Sequence, residues 1–155
     1  IQTTRYPGQK APQIQQTLRM IKEERGELSI DFLEDMPVEE AMEWLTKLPG
    51  VGLKTATLLL LFNFKKPVMP VDTHVFRISQ RVGLIGAKAT ANKAHTILLE
   101  MLPPDPVELY NFHIHMLRHG QRICTFFSPK CEKCVLNSIC NYYHDVREKG
   151  IDKAA

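Results

Sequence analysis

Leu48-Pro49-Gly50-Val51-Gly52 separates two helical patterns by too few residues for anything but a tight hairpin. Upstream, Ala41, Trp44, Leu45 and Leu48 recur at helical spacing. They predict a helix that starts near Pro37, with Glu39 and Glu40 complementing its dipole. Downstream, Leu53 to Phe64 is apolar nearly all round, the pattern of a central buried helix. Glycines at 50 and 52 permit positive φ and let another backbone approach, because no Cβ intervenes. A hairpin that runs straight into a helix start also aims several unpaired N–H groups one way, which suits a phosphate oxygen. A plain helix–helix turn would use the same residues.

The rest of the chain follows the same period. Residues 1–12 are turn-rich, and Ile14, Leu18 and Ile21 then mark an amphipathic helix over 13–24, ended by Gly26. After a proline-edged loop at 67–70, Asp72 can N-cap a helix carrying Val75, Phe76, Ile78 and Val82. Gly83 and Gly86 bracket the next turn. A helix over 90–102 presents Ala94, Ile97, Leu98 and Met101 on one face. Prolines 103, 104 and 106 stop it, and helical spacing resumes over 107–119 through Leu109, Phe112, Met116 and Leu117, ended by Gly120. No stretch alternates with period two, and there is no internal repeat. The fold class predicted is all-α.

Composition narrows the partners. A 155-residue chain with 44% apolar and 24% charged residues fits one ordinary domain or two small ones in a soluble protein. Its longest apolar run, residues 56–62 with Thr57 inside, is far too short to span a bilayer, and no basic leader precedes an apolar segment. The expectation is an intracellular protein of the cytoplasm or nucleoid, not bound to membrane and monomeric. Ile1 opens the chain abruptly, as in a processed or truncated piece. The net charge of +3 is uneven: residues 1–50 hold six Lys/Arg and nine Asp/Glu, residues 51–155 fourteen and eight. A basic C-terminal two-thirds is compatible with a polyanion.

All four cysteines fall at 124, 131, 134 and 140. A secreted disulfide fold spreads its cysteines to staple distant segments, so this cluster argues for a metal site in a reducing compartment. Four thiolates suit either Zn²⁺ or a [4Fe–4S] cluster by ligand type. His115 and His119 share helical i, i+4 spacing and His113 lies nearby, but no glutamate accompanies them, and packing or hydrogen bonding is the better reading. His95 has no motif around it.

LPGVGLKTA, followed by the Asp of PVDTHVFR eighteen residues after its Lys, resembles the endonuclease III branch of the helix-hairpin-helix DNA glycosylases. The cysteine spacing, six, two and five residues between successive cysteines, matches the iron–sulfur loop of the same family, and favours a [4Fe–4S] cluster over zinc. The resemblance implies a bifunctional DNA N-glycosylase and abasic-site lyase for base-excision repair, acting on oxidised pyrimidines in double-stranded DNA. It implies Lys54 as nucleophile and Asp72 as the catalytic aspartate. DNA contacts would come from Gly50, Val51, Gly52, Thr55, His74 and Lys130. A monovalent cation would sit on the carbonyls of Thr46, Leu48 and Val51, and the cluster on Cys124, Cys131, Cys134 and Cys140. Arg122 and Lys133 also flank the cysteines, but the loop between the first two, TFFSPK, is less basic than the family's often is.

The chemistry needs those residue types. Breaking an N-glycosidic bond builds positive charge on the sugar, which a carboxylate stabilises. An amine traps C1′ as a Schiff base only when neutral, and free lysine loses its proton only near about pH 10.4, so burial and a proton acceptor have to help. The imine makes the C2′ proton acidic, and β-elimination cuts the strand. By the same resemblance residues 1–66 are roughly half of the helix-hairpin-helix barrel domain, 67–147 most of an iron–sulfur-cluster helical domain, and 148–155 a tail. Lys54 and Asp72 would face each other across a cleft, and upstream helices that line the base pocket would be absent. A DNA-binding fragment or homologue without lyase activity, and a zinc-stabilised protein-binding module, are the alternatives.

Overall fold

A computed structural model describes residues 6–148. Helices are the only regular secondary structure among the described residues, and the chain divides into two compact units, Ile1–Lys66 and Pro67–Ala155.

The first unit holds α1 (Pro7–Arg25), a 3-10 turn (Asp31–Leu33), α2 (Val38–Thr46) and α3 (Leu53–Phe64). α1 starts well before the predicted residue 13. Pro7 occupies its first turn, where a missing N–H costs nothing, and Pro12 is carried inside the helix. Gly26, at φ 78°, closes α1 with its N–H on the Lys22 carbonyl. The predicted apolar stripe of α1 is only partly used: Ile21 is buried, while Ile14 and Leu18 remain 46% and 45% exposed. The C-terminal end of α1 is tied down by Trp44, whose Nε1–H donates to Glu24 Oε1 at 2.8 Å and whose ring meets Phe32 edge-on at 5.0 Å. Arg25 covers the other ring of that pair, 4.0 Å from the Phe32 centroid.

α2 and α3 pack as the hairpin demands. Ala41, Leu45 and Leu48 are buried from one side, and Ala56, Leu60 and Leu61 from the other. Burying each of these larger side chains contributes roughly 1.5–3 kcal/mol. α3 ends at Lys65, a non-glycine residue at φ 50°, and the Lys66 N–H returns to the Leu60 carbonyl. Lys66 Nζ donates to the carbonyls of Glu34 and Met36, which holds the loop before α2 against the end of α3.

The second unit holds α4 (Thr73–Val82), α5 (Ala91–Met101), α6 (Pro106–Arg122), 3-10 turns at Cys131–Lys133 and Asn137–Ile139, and α7 (Asn141–Glu148). Each of the first three helices starts on a side-chain cap: Asp72 for α4, Thr90 for α5 and Asp105 for α6. α4 packs closely on α6 and also meets α7. Val75, Ile78, Ala94, Leu98, Leu109 and Met116 form the core of this unit, whereas Met101, at the end of the predicted α5 face, is 54% exposed.

Gly120 does not end α6. It is buried inside the helix, which runs on to Arg122, and an added Cβ would lie 2.7 Å from the His74 Cβ. Its glycine therefore serves a close helix crossing and not a stop.

Candidate functional site

The hairpin is closed from within. The Val51 N–H donates to the Leu48 carbonyl at 3.1 Å, so of the amides assigned to phosphate that of Val51 is already taken. Gly50 sits at φ 77°, and a side chain there would also meet Gln13 of α1. From α1, the Thr17 hydroxyl donates to the Pro49 carbonyl at 3.1 Å, which fixes the turn. Gly52 differs from Gly50. Its φ is −94°, and a Cβ built there would touch nothing, so neither backbone nor packing requires glycine.

Gly52 instead leaves the start of α3 bare. It is the N-cap, its carbonyl accepts from the Ala56 N–H, and no side chain caps the helix. The amides of the first turn thus keep the unsatisfied donors of a helix N-terminus. Lys54 and Thr55 lie in that turn, both exposed. The burial that would favour a neutral amine is not met at Lys54 in this chain. Of the residues assigned to a cation, Thr46 turns its hydroxyl back onto the Met42 and Glu43 carbonyls, and the Leu48 carbonyl already accepts from Val51.

Asp72 opens the other constellation. It is buried, 8% exposed, and its Oδ1 accepts from the N–H groups of His74 and Val75, each at 2.8 Å. These bonds occupy one carboxylate oxygen only. The segment leading into it is held by two buried histidines on different helices. His95 Nδ1 donates to the Met69 carbonyl at 2.8 Å, and His113 Nδ1 to the Pro70 carbonyl at 3.1 Å. Burial holds the His95 pKa below its usual value, opposed by the bond to Met69. A carbonyl partner requires the proton on Nδ1 in both rings.

His74 is half-buried beneath Gly120, and its Nδ1 lies 3.1 Å from Arg77 Nη2. Since guanidinium only donates, Nδ1 is the acceptor and Nε2 carries the proton. The same Arg77 donates to the carbonyls of Gly120 and Cys124, the latter from both Nε and Nη2 at 3.1 and 2.7 Å. Four residues on, Arg81 reaches Cys124 Sγ at 3.2 Å and the carbonyls of Thr125 and Phe126 at 2.7 and 2.9 Å. The sequence reading missed both arginines. Their i, i+4 spacing, which puts both on one side of an amphipathic helix, was the available signal.

The four cysteines line a single small cavity, with Arg81, Ile123, Tyr142 and Tyr143 among its other walls. None of the four is joined in a disulfide. Among the described residues no three His, Cys, Asp or Glu side chains close on one point as ligands of a metal ion. The donor set is nonetheless all sulfur and turned to one space, which fits a thiophilic metal group. Burial raises the pKa of Cys131, and neighbouring thiols raise it further. Burial likewise raises that of Cys140. Thiols so placed ionise readily only if a cation shares the cavity. His119 Nε2 lies 3.4 Å from Cys134 Sγ, and burial lowers its pKa. His115 is exposed and joins no such cluster.

In the loop after Cys124, the Thr125 hydroxyl donates to the Ser128 carbonyl and the Lys130 N–H to that of Ile123. Lys130, Arg122 and Lys133 are exposed, as are Phe126 and Phe127, whose rings meet edge-on at 4.9 Å. No described helix is long and apolar enough to cross a membrane.

Residues 1–104 match the family model of the HhH-GPD superfamily base excision DNA repair protein. Endonuclease III of Thermotoga maritima is 39% identical over 142 residues, which cover 92% of this chain and 61% of that protein. Endonuclease III of Buchnera aphidicola subsp. Baizongia pistaciae is 44% identical over 100 residues, 64% of this chain and 45% of that one. Among solved structures, a trapped endonuclease III–DNA covalent intermediate superposes with a TM-score of 0.73 at 29% identity, covering 90% of this chain and 60% of that chain. The chain thus spans less than two-thirds of each of these relatives.

Proposed function

We propose, given that this chain belongs to the HhH-GPD superfamily of base excision DNA repair proteins, that it carries the strand-gripping and lyase elements of a bifunctional DNA N-glycosylase and abasic-site lyase acting on oxidised pyrimidines. The observation that carries this reading is the first turn of α3. A bare Gly52 opens helix amides to a phosphate oxygen, and Lys54 offers an exposed amine from the same turn. Gly50 and Thr55 belong to this grip, and Val51 contributes through its carbonyl, with those of Thr46 and Leu48, to a monovalent cation.

In the reaction, the C1′–N bond breaks with its electron pair leaving on the base, and the free oxygen of Asp72 stabilises the charge that grows on the sugar. The neutral amine of Lys54 forms the new bond to C1′ and gives up a proton, which Asp72 accepts or passes to water. The C1′–O4′ bond then opens, the ring oxygen taking that electron pair and a proton from water, and leaves the protonated imine. Removal of a C2′ proton then expels the 3′ phosphate. The fixed Oδ1 of Asp72 supports this role, because two amide donors hold the carboxylate in one orientation. His74, with Nε2–H outward from its bond to Arg77, and Lys130 contact the DNA backbone.

Cys124, Cys131, Cys134 and Cys140 hold a [4Fe–4S] cluster in this reading, supported by the one cavity that all four cysteines line. When bound it supplies order to the loop that follows Cys124; base removal and β-elimination need no electron.

Borohydride reduction in the presence of an abasic duplex tests the proposal: a covalent protein–DNA adduct is expected, lost in Lys54→Ala. Absence of any adduct from the unsubstituted chain, with salt-sensitive duplex binding retained, gives instead a DNA clamp without lyase activity. The exposure of Lys54 favours that second reading for the chain by itself.

A further inference from the structure

We propose that Arg81 is the positioning residue of the four-cysteine site, fixing the first cysteine and tuning the charge of whatever metal group the thiolates hold. This rests on reading the four cysteines as ligands. Arg81 grips the start of the motif. Its Nη1 donates to Cys124 Sγ and to the Thr125 carbonyl, and its Nη2 to the Phe126 carbonyl, at 3.2, 2.7 and 2.9 Å. Its own backbone carbonyl lies 3.3 Å from Cys140 Sγ, a bond that a thiol makes and a ligating thiolate gives up. The guanidinium also lies 4.6 Å from the centroid of Tyr142, a wall of the same cavity.

Three consecutive residues, Cys124 to Phe126, are therefore gripped by one planar fork. A fork of fixed N–H directions sets the angle of the loop in a way that a single ammonium does not. Cys124 lies on the irregular chain just beyond α6, with six residues between it and the next cysteine, and has no helix of its own to orient it. Arg81 lends it the rigidity of α4. The charge has a second consequence. Four thiolates concentrate negative charge in a partly buried cavity, and the guanidinium offsets it while its N–H bonds to sulfur. Both effects favour the more reduced, more negative state of a redox-active cluster.

The test compares the 155-residue chain, isolated without oxygen, with Arg81→Gln and Arg81→Lys. Circular dichroism and a thermal melt check that each is folded. Metal content, the rate of metal loss to a chelator and the midpoint potential are then measured. Arg81→Gln is expected to lose its metal about tenfold faster and to shift the potential to more negative values. Arg81→Lys, which keeps charge but not the fork, should lose metal faster while staying nearer the original potential. A folded Arg81→Gln with unchanged release rate and potential overturns the proposal. If the unsubstituted chain holds zinc and no iron, the cluster reading fails, and unchanged zinc release in Arg81→Gln then overturns the positioning role separately. If it holds no metal, both fail together.

Discussion

Gly120 lies against His74 so closely that a Cβ at 120 would stand 2.7 Å from the Cβ of His74 and 2.8 Å from its Nδ1. The crossing of α4 and α6 is set by that missing methyl group. It also holds the ring that accepts from Arg77, and Arg77 in turn binds the Gly120 carbonyl. Helix contact, imidazole tautomer and the start of the cysteine loop thus depend on one another.

Gly120→Ala is accordingly expected to destabilise the protein. Alanine in place of an interior helical glycine normally adds about 1 kcal/mol of stability. Here the clash is with a Cβ, which cannot swing aside, and overpacking of this kind costs roughly 1–3 kcal/mol. A urea melt that shows Gly120→Ala at or above the stability of the unsubstituted chain would refute the close crossing.

Asp72 does two things that substitution can separate. Asparagine caps helices as well as aspartate, so Asp72→Asn should leave stability nearly unchanged while removing the carboxylate. Asp72→Ala removes the cap as well and should cost about 1 kcal/mol more. If borohydride trapping survives Asp72→Asn undiminished, the carboxylate is a cap alone.

Ser79 Oγ is fully buried in α4 and is the one such side-chain polar atom without a partner among the described residues. An unsatisfied buried hydroxyl costs about 1–3 kcal/mol. Ser79→Ala should therefore be neutral or stabilising by up to about 1 kcal/mol in a thermal or urea melt. A clear loss of stability would mean that the hydroxyl bonds a buried water.

The local features of the chain were legible in its sequence. The limits of α3 follow from a run of apolar residues between Gly52 and a charged pair, and the cap at Asp72 from an acid placed just before a helical stripe. Residues whose role depends on a distant neighbour were not. Gly120 reads as a helix stop until His74 is found beneath it. Arg77 and Arg81 carried no sign of their role, because their acceptors lie more than forty residues away along the chain. The start of α1 was hidden because Pro7-Gly8 is equally a turn signal and a first helical turn. At the four cysteines, spacing suggested a shared site, but only folding shows that they line one cavity with Arg81.

The buried His95 makes stability depend on pH. Burial depresses its folded-state pKa below the usual 6.5, and the unfolded chain restores the ordinary value. Above about pH 6.5 the ring is neutral in both states, and its contribution is fully present. As pH falls below that, the unfolded chain binds a proton that the folded chain refuses, so stability falls until the depressed pKa is passed. Protonation would not break the Nδ1–H bond to Met69, but it would place a charge in a site with no carboxylate hydrogen-bonded to the ring. Asparagine at 95 offers an N–H donor of similar reach and does not titrate. His95→Asn should thus keep much of the stability at pH 7.5 and show a weaker decline between pH 6.5 and 5 than the unsubstituted chain, as measured by urea midpoints at each pH. Parallel pH profiles for the two proteins would place the acid sensitivity elsewhere.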